Sequence, residues 1–383
     1  MAFALFLMRK LFGCTLLITL IAATAGYWFW AQQREVGHYL SDLRIELAIN
    51  DGVNNDHGNL LGIEPDLSPR DYQSLDLVHL KLAAYLNKAR EAGLLNDKTI
   101  VVLPEHIGTW LMFRGEKNEL YQAANLNQAM RWLSLSNPLA FTNAWLRADG
   151  ESRVNDAHLR MKAKTMASDY QTLFGGLAKE FGVTLVAGSI ALPEPRIENG
   201  KLLPGTGPLY NSSIVFGRDG APQGKPQRQL LPTYEEQSYI QPSPDHQLNV
   251  VDTPAGRLGI LVGSDSWYPE NYRTLNEQGA QLIAVPAFMI GKKNWDQPWG
   301  GFKSVSTPSE ISLKPGEVSE GEAWHRLTLI SSVPSSTAQA GITVFSRGKF
   351  WDKRSVGWGF ISRNGQTSPD QHGAGARLLN LWL

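Results

Sequence analysis

The chain reads as an α/β layered sandwich, and three observations carry that reading. Residues Leu258–Phe288 run strand, tight polar elbow, helix, strand. Two continuously apolar runs, Thr99–Leu103 (TIVVL) and Thr184–Ile190 (TLVAGSI), each follow a segment of helical spacing. Hairpin patterns are interspersed with these units, as mixed sheets covered by helices require.

The elbow region is the most informative stretch. Leu258–Val262 is too short for a helix and suits a buried strand, and Gly263-Ser264-Asp265-Ser266 interrupts it. Pro269-Glu270 then opens a helix marked by Tyr272 and Leu275, and Gly279 stands at its C′ position. A second apolar run, Leu282–Val285, ends at Pro286. In α/β enzymes such a turn holds a nucleophile at the carboxyl end of a strand. Here the elbow residue is glycine.

From the N-terminus, Leu43–Ile49 alternates polar and apolar groups as a strand does, and Asp51–Pro69 has loop composition. Ser74–Ala92 places Leu77, Leu80, Ala84 and Tyr85 at helical spacing, and a helix is expected near Leu120–Leu133. Asp156–Phe181 reads as one long helix stopped by Gly182, and Ala191–Pro208 as a Pro/Gly-rich loop. The strand Ser212–Phe216 leads to a turn at Arg218-Asp219-Gly220, and Leu248–Val251 pairs with Arg257–Val262 through Pro254-Ala255-Gly256. Met289–Gly321 is a long loop of the kind that forms a lid or a partner-binding insertion. Short strands at Thr328–Ser332, Ile342–Phe345 and Val356–Ile361 close the pattern.

Composition excludes several classes. Lys+Arg and Asp+Glu are equal at 36 each, so there is no basic footprint for nucleic acid. The single cysteine, Cys14, lies in the N-terminal apolar run, which rules out an internal disulfide and cysteine nucleophile chemistry in the domain. The eight histidines show no ligand spacing, and neither a metal nor a cofactor is expected.

The N-terminus divides into a cytoplasmic tail (1–10), a transmembrane anchor or signal (11–30) and a linker (31–42), with one domain over 43–383. Leu11–Trp30 carries no formal charge, and about twenty such residues cross a bilayer core. Arg9-Lys10 marks the cytoplasmic flank, and Tyr27, Trp28 and Trp30 suit an interfacial belt. The expected product is an inner-membrane, single-pass protein with its domain in the periplasm. Cleavage after Ala23-Thr24-Ala25 is the competing reading.

Three strand ends, taken in order, resemble the nitrilase superfamily of carbon–nitrogen hydrolases: VVLPE at Val101–Glu105, QLLPTYEE at Gln229–Glu236, and VGSDSWYPENYR with the downstream GAQLIAVPAF. The resemblance spans about Arg44–Ile361 and implies an α-β-β-α sandwich. The layout, an anchor followed by an outward-facing domain, is similar to the periplasmic domain of apolipoprotein N-acyltransferase, which has several spans where this chain has at most one. Glu105 would be the family's general base and Glu235 a supporting carboxylate.

Two positions depart from the family pattern. The nucleophile position falls on Gly263, and counting back from Leu230 and Pro232 puts the lysine position on Gln227. Family chemistry needs a thiolate to attack, a glutamate to move protons and a cation to hold the oxyanion. Glycine supplies no nucleophile and glutamine no charge. Ser264, Asp265, Lys225 and Arg228 are the neighbours that could compensate, and tryptophans 267, 295, 299 and 324 could line a pocket. The expectation is a pseudoenzyme that binds a small amide-type ligand or an envelope protein partner. The alternative is an amide hydrolase or N-acyltransferase using Ser264 or a water activated by Glu105. A homodimer is compatible with the resemblance.

Overall fold

A computed structural model of the chain describes residues 2–34, 39–291, 294–303, 307–328, 338–369 and 372–383. Two sheets stack face to face. The larger runs in the order Ile45–Asp51, Ala376–Trp382, Asn59–Glu64, Thr99–Val102, Thr184–Val186, Leu209–Phe216, Pro222–Arg228, with Ile190–Pro193 also paired to Leu209–Phe216. The smaller runs Val250–Thr253, Gly256–Ile260, Leu282–Ala287, Ala340–Phe345, Phe360–Arg363, Gln366–Thr367.

Side-chain alternation assigns the layers. Along Thr99–Val102, Ile100 and Val102 join Leu258, Ile260, Leu282 and Ala284 of the other sheet in one apolar cluster, while Val101 turns to the opposite face. Leu60 and Leu61, Val186 and Leu185, and Leu379 and Leu378 divide in the same way. A period of two gives each sheet an inner and an outer face. The outer face of the larger sheet takes the helices Leu75–Glu91, Arg153–Tyr170 and Gly176–Phe181, through residues such as Leu82, Leu86, Met166 and Leu177. Ile283 and Val285, on the outer face of the smaller sheet, pack with Tyr272 and Leu275 of the helix Pro269–Glu277 and with Trp324 of Glu320–Leu327. The layers are helix, sheet, sheet, helix, as expected.

Several local expectations need correction. Asp51–Pro69 is not all loop: Asn59–Glu64 is a fully buried strand. A further strand, Ala376–Trp382, sits between Ile45–Asp51 and Asn59–Glu64 and is buried at every position. Neither strand shows alternation in its residues, because a buried strand has no solvent face to mark with polar residues. The long helix over 156–181 is interrupted by a π-type turn at Gln171–Gly175, and Gly182 ends it with φ +65° as the C-cap. Thr184–Ile190 breaks at Gly188, whose φ of +63° and approach to the Pro104 carbonyl leave no room for a Cβ. The expected strand Thr328–Ser332 begins at the C-cap of the helix Glu320–Leu327 and otherwise lies outside the described residues.

The segment 289–321 is not structureless in its described residues. It carries Trp295 and Trp299, both buried, and Trp299 packs with Phe302, Ala323 and Leu327 in a small core of its own. The loop is held against the helix Glu320–Leu327 and the strand residue Phe345.

At the N-terminus the helix Ala2–Gln32 is long and apolar enough, over Phe6–Gln32, to span a membrane. Its end is fastened to the domain. Lys117 Nζ donates to the carbonyls of Trp30 (2.8 Å) and Gln33 (2.9 Å), which satisfies helix-terminal acceptors with a cation. Lys117 also lies over the Trp30 ring, and Trp30 packs on Trp132. Arg34 pairs with the buried Glu116. Two of the three expected belt aromatics, Tyr27 and Trp30, therefore contact the domain, while Trp28 is exposed.

Candidate active site

Parallel strands bring the chemistry together because their carboxyl ends share one edge. Glu105 follows Thr99–Val102 in the larger sheet, and Gly263 follows Gly256–Ile260 in the smaller. The two sheets face each other, so the two strand ends meet. Glu105 is 4% exposed, and its Oε1 accepts from Asn211 Nδ2 at 2.8 Å and from Gln229 Nε2 at 3.3 Å. Burial pushes its carboxyl well above the usual range. The nearby negative charges of Glu236 and Asp265 push the same way, against the Asn211 amide and the Phe288 N–H.

Gly263 has φ +53°, in the left-handed region, and starts the short 3-10 turn Gly263–Trp267. A Cβ built there would lie 2.7 Å from Glu105 Oε2 and 2.9 Å from Oε1. The elbow therefore points at Glu105. The carboxylate fills the volume that a side chain at 263 would need.

Four expected site residues are placed differently. Gln227 is buried but turned to the Val250 hairpin: its Oε1 accepts from Asn249 N at 2.9 Å and its Nε2 donates to the Gln247 carbonyl at 3.1 Å. Gln229, two residues on, reaches both Glu105 and the Val262 carbonyl. Residues i and i+2 share one face of a strand, so the sequence count was one pleat short of the site. Similarly Glu235 is exposed, and the neighbouring Glu236 is the buried carboxylate. Lys225 is exposed, and Arg228 stacks over Tyr210 at 4.2 Å. Among the described residues no lysine or arginine bonds to Glu105.

Ser264 donates its hydroxyl to the Leu231 carbonyl at 2.5 Å. Asp265 accepts the backbone N–H groups of Leu230 and Leu231 at 2.8–3.0 Å, which fastens the elbow to the segment carrying Gln229. Burial raises its carboxyl to about 7, even though those N–H groups pull it down. The four tryptophans are core: Trp267 lies 5.1 Å from Trp324 and 6.0 Å from Trp299, and Trp295 packs edge-on to Phe345.

His106 completes the group and carries the non-glycine φ of +61°. Its N–H donates to Ser189 Oγ at 2.7 Å, and its Nε2 lies 2.7 Å from Glu236 Oε1. Burial works to raise the Glu236 carboxyl, but the His106 contact and the Thr233 hydroxyl and N–H hold it below the usual value. One donor atom from each of Glu105, His106 and Glu236 comes within 4.8 Å of the others, a set that could hold a cation. In the sequence, the runs VVLPE and QLLPTYEE point to this neighbourhood. Nothing there marked Asn211, which comes from a different strand pair.

The arrangement gathers a buried Glu105 carboxyl, the amides of Asn211 and Gln229 and the His106–Glu236 pair in one place. Among the described residues, position 263 carries no side chain and no lysine bonds to Glu105. The relatives found by comparison are consistent with this lineage. A deaminated glutathione amidase of Yersinia enterocolitica is 27% identical over 188 residues, covering 46% of this chain and 58% of that protein. A nitrilase of Pyrococcus abyssi is 31% identical over 119 residues, covering 31% and 40%. These matches span well under two thirds of the relatives' lengths. A solved amidase from Nesterenkonia sp. AN1 aligns over 87% of this chain and 93% of its own, at 16% identity and a TM-score of 0.49. The carbon-nitrogen hydrolase family model matches residues 74–303, more than half of the chain. The protein belongs to the carbon–nitrogen hydrolase family, the nitrilase superfamily.

Proposed function

We propose that this chain is a membrane-anchored, periplasm-facing pseudoenzyme of its family, which binds an amide-type ligand or an envelope partner without turning it over. One observation carries the reading: at the elbow, Gly263 presents no nucleophile, and the Glu105 carboxylate takes up its side-chain volume. Acyl transfer by this family's route forms a bond from the elbow side chain to the carbonyl carbon. With no such atom, Glu105 has no side-chain nucleophile at the elbow to deprotonate. Gln229 can donate a hydrogen bond to a carbonyl oxygen, but it offers no charge to an oxyanion. Ser264 is a poor substitute because its hydroxyl is committed to the Leu231 carbonyl. The flank Arg9-Lys10 favours a cytoplasmic N-terminus, with the domain outside.

The test is ammonia release from a panel of primary amides, N-carbamoyl amines and nitriles, using the full chain in lipid nanodiscs. Wild type and Glu105→Gln are expected to give the same background. Turnover in the wild type that Glu105→Gln abolishes would overturn the proposal.

A further inference from the structure

The short helix Pro138–Trp145 is oriented against expectation for a soluble surface. It buries only Ala144, which packs with Ala148 and Ala157, and leaves Phe141 half-buried. Its large apolar side chains face outward: Leu139 is 83% exposed and Trp145 39%, with Leu135 (50%) just before the helix and Leu146 (68%) just after it. Single exposed leucines are ordinary, but this grouping within one short stretch is not.

Its position supplies the occupant. Tyr27 donates its hydroxyl to the Leu135 carbonyl, Trp30 packs on Trp132 of the same helix (Leu126–Ser136), and Arg34 Nη2 donates to the Ser136 carbonyl at 3.0 Å. Tyr27 lies three residues before Trp30, roughly 4.5 Å lower along the anchor at 1.5 Å per residue. The chain at Leu135 therefore meets the anchor inside its apolar stretch, at the level where aromatic residues meet headgroups. Arg153 stacks over Trp145 at 4.4 Å, which pairs an interfacial aromatic with a cation suited to lipid phosphate.

We infer that Leu135–Leu146 is a second membrane contact, a monotopic patch that inserts Leu139, Trp145 and Leu146 into the lipid interface beside the anchor. It fixes the domain's orientation instead of leaving it to swing on one helix. The inference rests on the Ala2–Gln32 helix spanning the bilayer. It predicts a shallow insertion, since a helix of this kind lies in the interface plane.

The experiment uses the full chain in phosphatidylcholine/phosphatidylglycerol nanodiscs, with an environment-sensitive fluorophore on one cysteine at a time. The native Cys14 reports the anchor, Leu139→Cys in a Cys14→Ser background reports the patch, and Val53→Cys in the same background, on a loop residue 79% exposed, gives the aqueous baseline. A lipid carrying a nitroxide near its headgroup is expected to quench position 139 several-fold more than position 53, and aqueous iodide several-fold less. If position 139 matches position 53 while Cys14 is in lipid, the patch is overturned and the anchor stands. If Cys14 is also aqueous, the anchor reading fails and this inference fails with it. Protection of position 139 from iodide without nitroxide quenching assigns the surface to another protein and also overturns the proposal.

Discussion

The Glu105 carboxylate and the α-carbon of Gly263 share a space that admits only one side chain. A methyl group built on Gly263 falls 2.7 Å from Glu105 Oε2, closer than non-bonded atoms settle, and at a backbone φ of +53° that L-residues disfavour. The glycine at 263 and the position of the Glu105 carboxyl are one structural fact.

Gly263→Ala therefore carries two costs, one from the backbone and one from the contact. Together they should lower stability by on the order of 2–3 kcal/mol. In a Glu105→Ala background the contact part disappears and only the backbone part remains. Thermal unfolding of the four proteins in a double-mutant cycle checks this. Equal penalties in both backgrounds would show that the carboxylate does not hold that volume.

Asp265 predicts a pH dependence. Its folded carboxyl sits at about 7 against a reference of 3.8, so between those values the folded state holds a proton that the unfolded state has released. Stability then falls as pH rises through this window, and the loss is complete above about 7. Glu105, also raised, works in the same direction, whereas Glu236, lowered, opposes it. Asp265→Asn keeps an oxygen to accept from Leu230 and Leu231 but no longer titrates. The slope of the unfolding temperature between pH 4 and 7 should be shallower in this variant than in the wild type.

A buried ion pair joins two neighbouring strands of the larger sheet, Asn59–Glu64 and Ala376–Trp382. Glu64 and Arg377 are both fully buried and stand opposite each other, with Arg377 Nη1 2.9 Å from Glu64, and the same carboxyl accepts the N–H of Gly359 at 2.6 Å, a contact from the smaller sheet's side. Arg377→Met leaves a carboxylate in the interior without its cation and should cost about 3–5 kcal/mol. Glu64→Gln with Arg377→Met should cost much less than the single change, as read by denaturant unfolding. A double variant as unstable as Arg377→Met alone would contradict this account.

Lys117 ties the anchor to the domain through two backbone carbonyls and the Trp30 ring. Lys117→Ala should leave the contacts around Glu105 untouched and speed amide hydrogen exchange in the segment 30–34 several-fold. Exchange there equal to wild type would place the attachment elsewhere.

Much of the architecture was legible in the residues. The apolar runs at 99–103, 258–262 and 282–285, with the helix opened by Pro269, fix parallel strand units because a short run without charge can only be buried. Gly182 and Gly279 mark helix ends because few other residues take a positive φ. The landmarks around Glu105 and Gly263 identified the family.

Other features depended on three-dimensional neighbours. Ala376–Trp382 is an interior strand only because two distant strands flank it, and its own residues carry no sign of where they will pair. Whether Gln227 or Gln229 meets Glu105, and whether Glu235 or Glu236 is buried, turns on a shift of one or two residues along the chain. Sequence alone determined which chemical groups exist and which are lacking: a glycine at the elbow, no thiol in the domain, a carboxylate after the strand. The tertiary fold decided which of them touch, because a shift of one residue exchanges the two faces of a strand and two residues moves a side chain a full pleat. Composition does not record displacements of that size.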